Sequence, residues 1–181
     1  AGYADKTADI WNVSDGSLAR TIEGHTLGVN VVIFSPDGQF LFTGSYDGTV
    51  RQTKISDGAM VRAFGAHWIY DMALSADGKT LAVYDNSLFN YSGYGEIVLW
   101  QVDNGKKLLT IKGGQRLRND ICTIALSPDG KYIAAAWRDY AVKIWNVSSG
   151  EVKSTLEDLK PKGNYYYGYF TVAFSPDSQT V

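Results

Sequence analysis

Four copies of one short corner, FSPDG (34–38), LSADG (74–78), LSPDG (126–130) and FSPDS (174–178), recur in this 181-residue chain at steps of 40, 52 and 48 residues. A second marker falls between them: IWNVSDG (10–16), QTKISDG (52–58), LWQVDNG (99–105) and IWNVSSG (144–150). In each copy the residue at the tryptophan position, Trp11, Thr53, Trp100 or Trp145, stands five before the glycine. Two linked markers on one period define a supersecondary unit that must bury its apolar face on its neighbours. That excludes a single-core fold without internal symmetry.

The corner chemistry says what the unit contains. In SPDG, Pro presets φ, the Asp side chain bonds to nearby backbone, and Gly supplies a positive φ, which together make a tight reversal. The SDG, DNG and SSG copies do the same between the next pair of strands. Flanking runs such as VNVVIF, QFLFTGS and KYIAAAW alternate or stay apolar over five to seven residues, which is strand patterning. Here composition adds its weight: 45% hydrophobic residues, 12 Tyr, 5 Trp and 19 Gly favour an all-β chain over a helical one. Four short strands per repeat, joined by hairpins, make a propeller blade.

With Gly24-His25, the Asp47 turn, the Ile-Trp pairs at 10–11 and 144–145 and Leu-Trp at 99–100, the sequence resembles the WD-repeat family over essentially its whole length. The resemblance implies an all-β propeller of four-stranded antiparallel blades, about four per chain. Third and outer strands occupy 1–24, full blades 25–66, 67–113 and 114–158, and inner and second strands 159–181. It also implies a hydrogen-bonded set of His, Ser or Thr, Asp and Trp within a blade, and no blade here keeps the whole set. The first full blade offers His25, Thr43 and Asp47, with Thr53 in place of Trp. The second offers His67 and Trp100, with Val83 at the hydroxyl position. The third has Asp139 and Trp145 but Gly114 and Ala135, and the terminal half-units give Asp5 and Trp11 with Leu159 where His would stand. These are strand fasteners rather than a nucleophilic trio. Where they are incomplete, blades are expected to lean on apolar packing.

Aligning Asp5 with Asp47 sets Ala1 opposite Thr43, and Val181 falls opposite Leu41, so head and tail together compose one blade. Rings of this family hold about seven or eight blades. Three arrangements therefore stay open: two chains sharing an eight-bladed ring, a piece of a longer protein, or a strained four-bladed ring.

The formal net charge is −2, so no bulk positive field draws nucleic acid or an anionic membrane, and neither is expected as a partner. The one cysteine, Cys122, rules out a disulfide within the chain and reads as a small buried hydrophobe. The opening segment has no signal-peptide pattern, and a cytoplasmic location is expected. No metal site, catalytic residue or cofactor is expected.

Loops on the blade tops carry function on such a scaffold. Two of them are long and rich in Tyr: YDNSLFNYSGYGE and DLKPKGNYYYGY. Positions resembling the family's upper-face contacts are Asn30, Tyr46, Trp68, Tyr70, Asp120 and Arg138. With Tyr91, Tyr94, Tyr165, Tyr166 and Tyr167 they would form an aromatic rim suited to anchoring other proteins or peptides. The expected function is a non-catalytic interaction platform, the docking or sensing part of a larger regulatory assembly. Two alternatives stand beside it. One is an excised or engineered half-propeller whose only partner is a second copy. The other is an enzyme working in the central channel, for which Asp71 and Asp120 are the nearest carboxylates.

Overall fold

The structure, a computed structural model, describes residues 1–85, 95–112, 121–137, 141–156 and 171–181, the Cys122 side chain excepted. All regular structure in them is β. A hairpin of β1 (Ala8–Trp11) and β2 (Leu18–Ile22) comes first. It is followed by a four-stranded sheet of β3 (Val29–Phe34), β4 (Phe40–Ser45), β5 (Thr49–Lys54) and β6 (Met60–Gly65). A second holds β7 (Ile69–Leu74), β8 (Thr80–Asp85), β9 (Glu96–Gln101) and β10 (Lys107–Lys112). A third holds β11 (Ile121–Leu126), β12 (Tyr132–Trp137), β13 (Val142–Asn146) and β14 (Val152–Leu156). Each sheet runs in chain order, which is the blade architecture of a β-propeller. Two compact units, Ala1–Met72 and Ala73–Val181, divide the chain, and the boundary falls within β7.

Register carries the sequence repeat into the backbone. Leu41 faces Thr53, Leu81 faces Trp100 and Ile133 faces Trp145, so the tryptophan position meets the same place in each second strand. The isolated bridge between Gly2 and Ala8 matches the pair Gly44 and Val50. It is all that residues 1–7 show of a second strand. No strand is assigned over 171–181, where the sequence pattern expects an inner strand and the start of a second. The corner closes there all the same, with the Ser175 amide donating to Thr180 O at 2.9 Å. Local turn chemistry forms such a corner alone, whereas a ladder needs a neighbour along its length.

Burial falls across each sheet. The second strands β4, β8 and β12 are buried on both faces except at their first residue, which explains why they read as apolar runs rather than alternations. The outer strand β6 is mostly exposed, β10 half exposed and β14 wholly so. In the first unit Ala8, Ile22, Val29 and Leu41 form a core between the hairpin and the sheet, with Ile10, Val32 and Ile55 packed against it. Gly44 makes room in that unit. A Cβ there would come within 2.7 Å of Ile69 and 2.8 Å of Val31.

The corners repeat atom for atom. Ser75 Oγ donates to Asp77 Oδ1 at 2.6 Å and accepts from the Thr80 amide, while the Lys79 amide donates to the same carboxylate. Ser127 with Asp129 and Ser175 with Asp177 copy this arrangement. The serine hydroxyl, then the backbone amide, holds Asp37, Asp77, Asp129 and Asp177 below the usual carboxylate range. The position after each Asp needs positive φ, supplied by Gly38, Gly78 and Gly130, but in the fourth corner by Ser178 at φ 61°. Ser178 is nonetheless engaged: its hydroxyl accepts from the Asp129 amide at 3.1 Å.

Candidate functional site

In the first unit the loop before β3, the end of β4 and the turn before β5 come together. A carboxylate only accepts, so His25 Nδ1 carries the proton and donates to Asp47 Oδ2 at 2.8 Å. Nε2 of the same ring lies 2.8 Å from the Thr43 hydroxyl. The Thr26 amide donates to Asp47 Oδ2, and the Thr49 amide and hydroxyl donate to Oδ1 at 2.9 and 2.7 Å. Burial alone would raise the Asp47 pKa. The donors Thr49, Thr26 and His25 outweigh it and bring it down to about 2. His25 and Thr43 are buried, and the set ties the loop before β3 to the end of β4 and to the turn before β5. The turn recurs at Asp5, which accepts from the Thr7 amide and hydroxyl, with Lys6 at φ 80° where Gly48 has 84°.

The other fastener positions lie differently. His67 is exposed, Val83 offers no hydroxyl, and Trp100 sits half-buried in β9. In the third sheet Ala135 is fully buried, and the Trp145 ring packs against Trp137 at 5.5 Å between centroids. Lys143 Nζ stands 5.4 Å from the Trp137 ring centre. Trp11, at the equivalent place in the opening hairpin, is 47% exposed against 5% for Trp145. Sequence reasoning passed over Trp137, Thr26, Thr49 and Ser178. Trp137 gave a signal as an aromatic ending an otherwise small-residue run, AAAW, and Ser178 as the residue standing where the other three corners have Gly.

Of the expected upper-face positions, four meet at the edge of the first unit where β3 begins and β4 ends. Tyr46 lies edge-on to Trp68 and Tyr70, with centroids at 6.0 and 5.7 Å. All three rings are half-buried. Asn30 sits where the β3–β4 register slips between Val29 and Val31, and a bulge of this kind re-aims a side chain. Its amide donates to Ile69 O and Tyr70 O, both at 3.2 Å, and its carbonyl accepts from the Tyr46 hydroxyl at 3.1 Å. Tyr91, Tyr94, Asp120, Arg138, Asp139, Tyr165, Tyr166 and Tyr167 lie outside the described residues. Asp71 is half-buried and accepts from the Met72 amide. Among the described residues no three His, Cys, Asp or Glu side chains gather as a metal site would require. Nor is any helix there long and apolar enough to cross a membrane.

The family profile described as WD domain, G-beta repeat matches residues 16–52 and 105–146. Each match starts beside an outer strand and ends in the third strand of the following blade, the offset expected when one sequence repeat straddles two sheets. The chain belongs to the WD-repeat family. Among its WD-repeat relatives is the guanine nucleotide-binding protein subunit beta of Arabidopsis thaliana. It is 31% identical over 153 residues, which cover 80% of this chain and 39% of the relative. The nuclear distribution protein PAC1 of Arthroderma otae is 31% identical over 80% of this chain and 34% of its own length. The autophagy-related protein 16 of Arabidopsis thaliana is 25% identical over 85% and 29%. The chain thus spans well under half the length of these relatives.

Proposed function

We propose that this WD-repeat chain is a non-catalytic platform that docks other proteins or peptides through the loop edge at which β3 and β7 begin. The observation that carries the reading is the cluster of Tyr46, Trp68 and Tyr70, three aromatic rings half-open to solvent on rigid strand ends. Rings of this kind anchor partners because they bury much area at little conformational cost. The first relative's name makes it a subunit of a larger assembly, which agrees with a docking role. His25, the titratable group an enzyme would want, is buried among strand fasteners.

A reducing, cytoplasmic setting belongs to the same proposal, on the strength of a single cysteine. Nucleic acid and membrane stay outside it, because the net charge is −2. Replacing Trp68 and Tyr70 together by Ala tests the reading. Partners captured by the wild-type chain and quantified by mass spectrometry should be depleted at least tenfold, with the unfolding midpoint little changed. Undiminished capture places the docking face elsewhere. A second copy of the chain is the simplest candidate partner to examine. Sedimentation at roughly twice the 19.9 kDa of one chain supports self-association, and a single-chain mass removes it.

A further inference from the structure

We infer that Asn104 and Gly105, in the turn from β9 to β10, form a self-modifying site at which the asparagine deamidates in the folded chain and turns a neutral position into an anionic one. The site is independent of the docking edge, and its chemistry needs only water.

The pair is singular. Asn104-Gly105 is the one Asn-Gly step in the 181 residues. Glycine has no Cβ, so its amide nitrogen is open to approach the preceding side chain. The Asp-Gly pairs of the other turns and corners close the same ring only through a protonated carboxyl, which aspartate hardly populates at neutral pH.

The turn holds the carboxamide in a reactive setting. Asp15, Asp57 and Asn104 stand at equivalent places and each accepts, through Oδ1, from the amide two residues on, at 2.9, 2.9 and 2.8 Å. Ser149 does the same through Oγ at 3.2 Å. At Asn104 the donor is the Lys106 amide. It lies on the oxygen where negative charge develops when the carboxamide carbon is attacked, and a donor so placed stabilises an oxyanion. Asn104 is exposed, so water and hydroxide reach it.

The bonds then change in two stages. Hydroxide takes the Gly105 amide proton, and the Gly105 nitrogen bonds to Asn104 Cγ. The Cγ–Nδ2 bond breaks, ammonia leaves with a proton from water, and a cyclic succinimide remains. Water opens the ring on either side of the nitrogen. Opening at Cγ gives aspartate; opening at the main-chain carbonyl gives isoaspartate.

The fold receives the two products differently. Aspartate fits, because Asp15 and Asp57 already make the same bond in the same kind of turn. It places a negative charge just before Lys106 and Lys107, both exposed. Isoaspartate adds a carbon to the main chain. That upsets the spacing by which the Gly105 amide reaches Gln101 O and the Gln101 amide reaches Lys106 O. The outer strand β10 pairs with β9 alone, so no other strand holds it in place.

The test ages the whole folded chain at neutral and mildly alkaline pH and follows it by mass spectrometry. A gain of one mass unit should appear, several-fold faster at the higher pH, and an isoaspartyl methyltransferase should label the product. Trypsin leaves Asn86, Asn90 and Asn104 on one peptide, residues 80–106, and fragmentation should place the gain at Asn104. Asn104→Ser, which copies Ser149, should abolish it with the unfolding midpoint close to wild type. Asn104→Asp should keep that midpoint too, while the isoaspartate fraction should exchange its Leu109–Lys112 amides faster than the unaged chain. No gain, a gain only after unfolding in urea, or one placed at Asn86 or Asn90 overturns the site. An Asn104→Asp midpoint well below wild type overturns the fit of the anionic product, and unchanged exchange in the isoaspartate fraction overturns the loosening of β10.

Discussion

The sheet β3–β6 and the sheet β11–β14 share strand order, register and corner chemistry, yet they fasten their second strands by opposite means. In the first, Thr43 is the hub of a polar set with His25 and Asp47. In the third, the same position is Ala135, and an indole pair, Trp137 and Trp145, fills the adjoining space. A polar set is directional and fails if one member goes, whereas apolar contact degrades in proportion to the area removed. The blade backbone therefore does not depend on either fastening. It is set by corners and by double-sided burial of the second strand, and the fastening is a local choice.

The largest effect that can break this comparison is Trp145→Ala. Removing a buried indole should cost about 3–5 kcal/mol, and the loss should hardly vary with pH. Hydrogen exchange should quicken at β12 and β13 amides while those of β4 and β5 stay protected, if the two sheets open separately. Equal loosening of both would show that fastening is shared across the chain.

Asp47→Asn should come next, at about 2 kcal/mol near neutral pH. The sign with pH follows from direction. The folded pKa, about 2, lies below the ordinary aspartate range. The contribution is therefore complete above roughly pH 4 and is lost as pH falls through about 2. Denaturant titration across that window should show wild type converging on the variant. A gap that persists at pH 2 would mean that the Asp47 charge contributes nothing to stability.

Exchanging the hub residues sharpens the contrast at smaller cost. Thr43→Val leaves His25 Nε2 buried without its partner, for a loss of about 1–2 kcal/mol. Ala135→Thr brings a hydroxyl and extra volume beside the Trp pair, with a comparable loss. Either change proving neutral in urea titration would mean that its sheet tolerates both fastenings.

How far all this could be read from the sequence depended on the range of the interactions. The corners were legible because Ser, Pro, Asp and Gly act within five residues, and so were the blade count and the Thr43 to Ala135 equivalence. His25 with Asp47 needed the family pattern, since the pair spans 22 residues of chain. The exposed His67 and the Trp137–Trp145 contact depend on side-chain packing that no spacing encodes. Asn30 shows the limit best. Its position at the edge was readable, but its three bonds follow from a one-residue bulge, and nothing in VNVVIF announces one.

The smallest expected effect concerns the corners that both sheets share. Ser178 holds a left-handed φ that Gly holds in the other three, a strain of about 1 kcal/mol, yet its hydroxyl caps the Asp129 amide. The two terms oppose each other at similar size. Ser178→Gly relieves one and forfeits the other, so its stability should fall within about 0.5 kcal/mol of wild type. Ser178→Ala keeps the strain and loses the cap, and should cost about 1 kcal/mol. If Ala matches wild type in denaturant titration while Gly rises above it by the strain alone, the Ser178–Asp129 bond is idle and the corners are independent of one another. A gap near 1 kcal/mol with Gly close to wild type means that each corner is steadied by the next, a coupling indifferent to whether the sheet between them is fastened by imidazole or by indole.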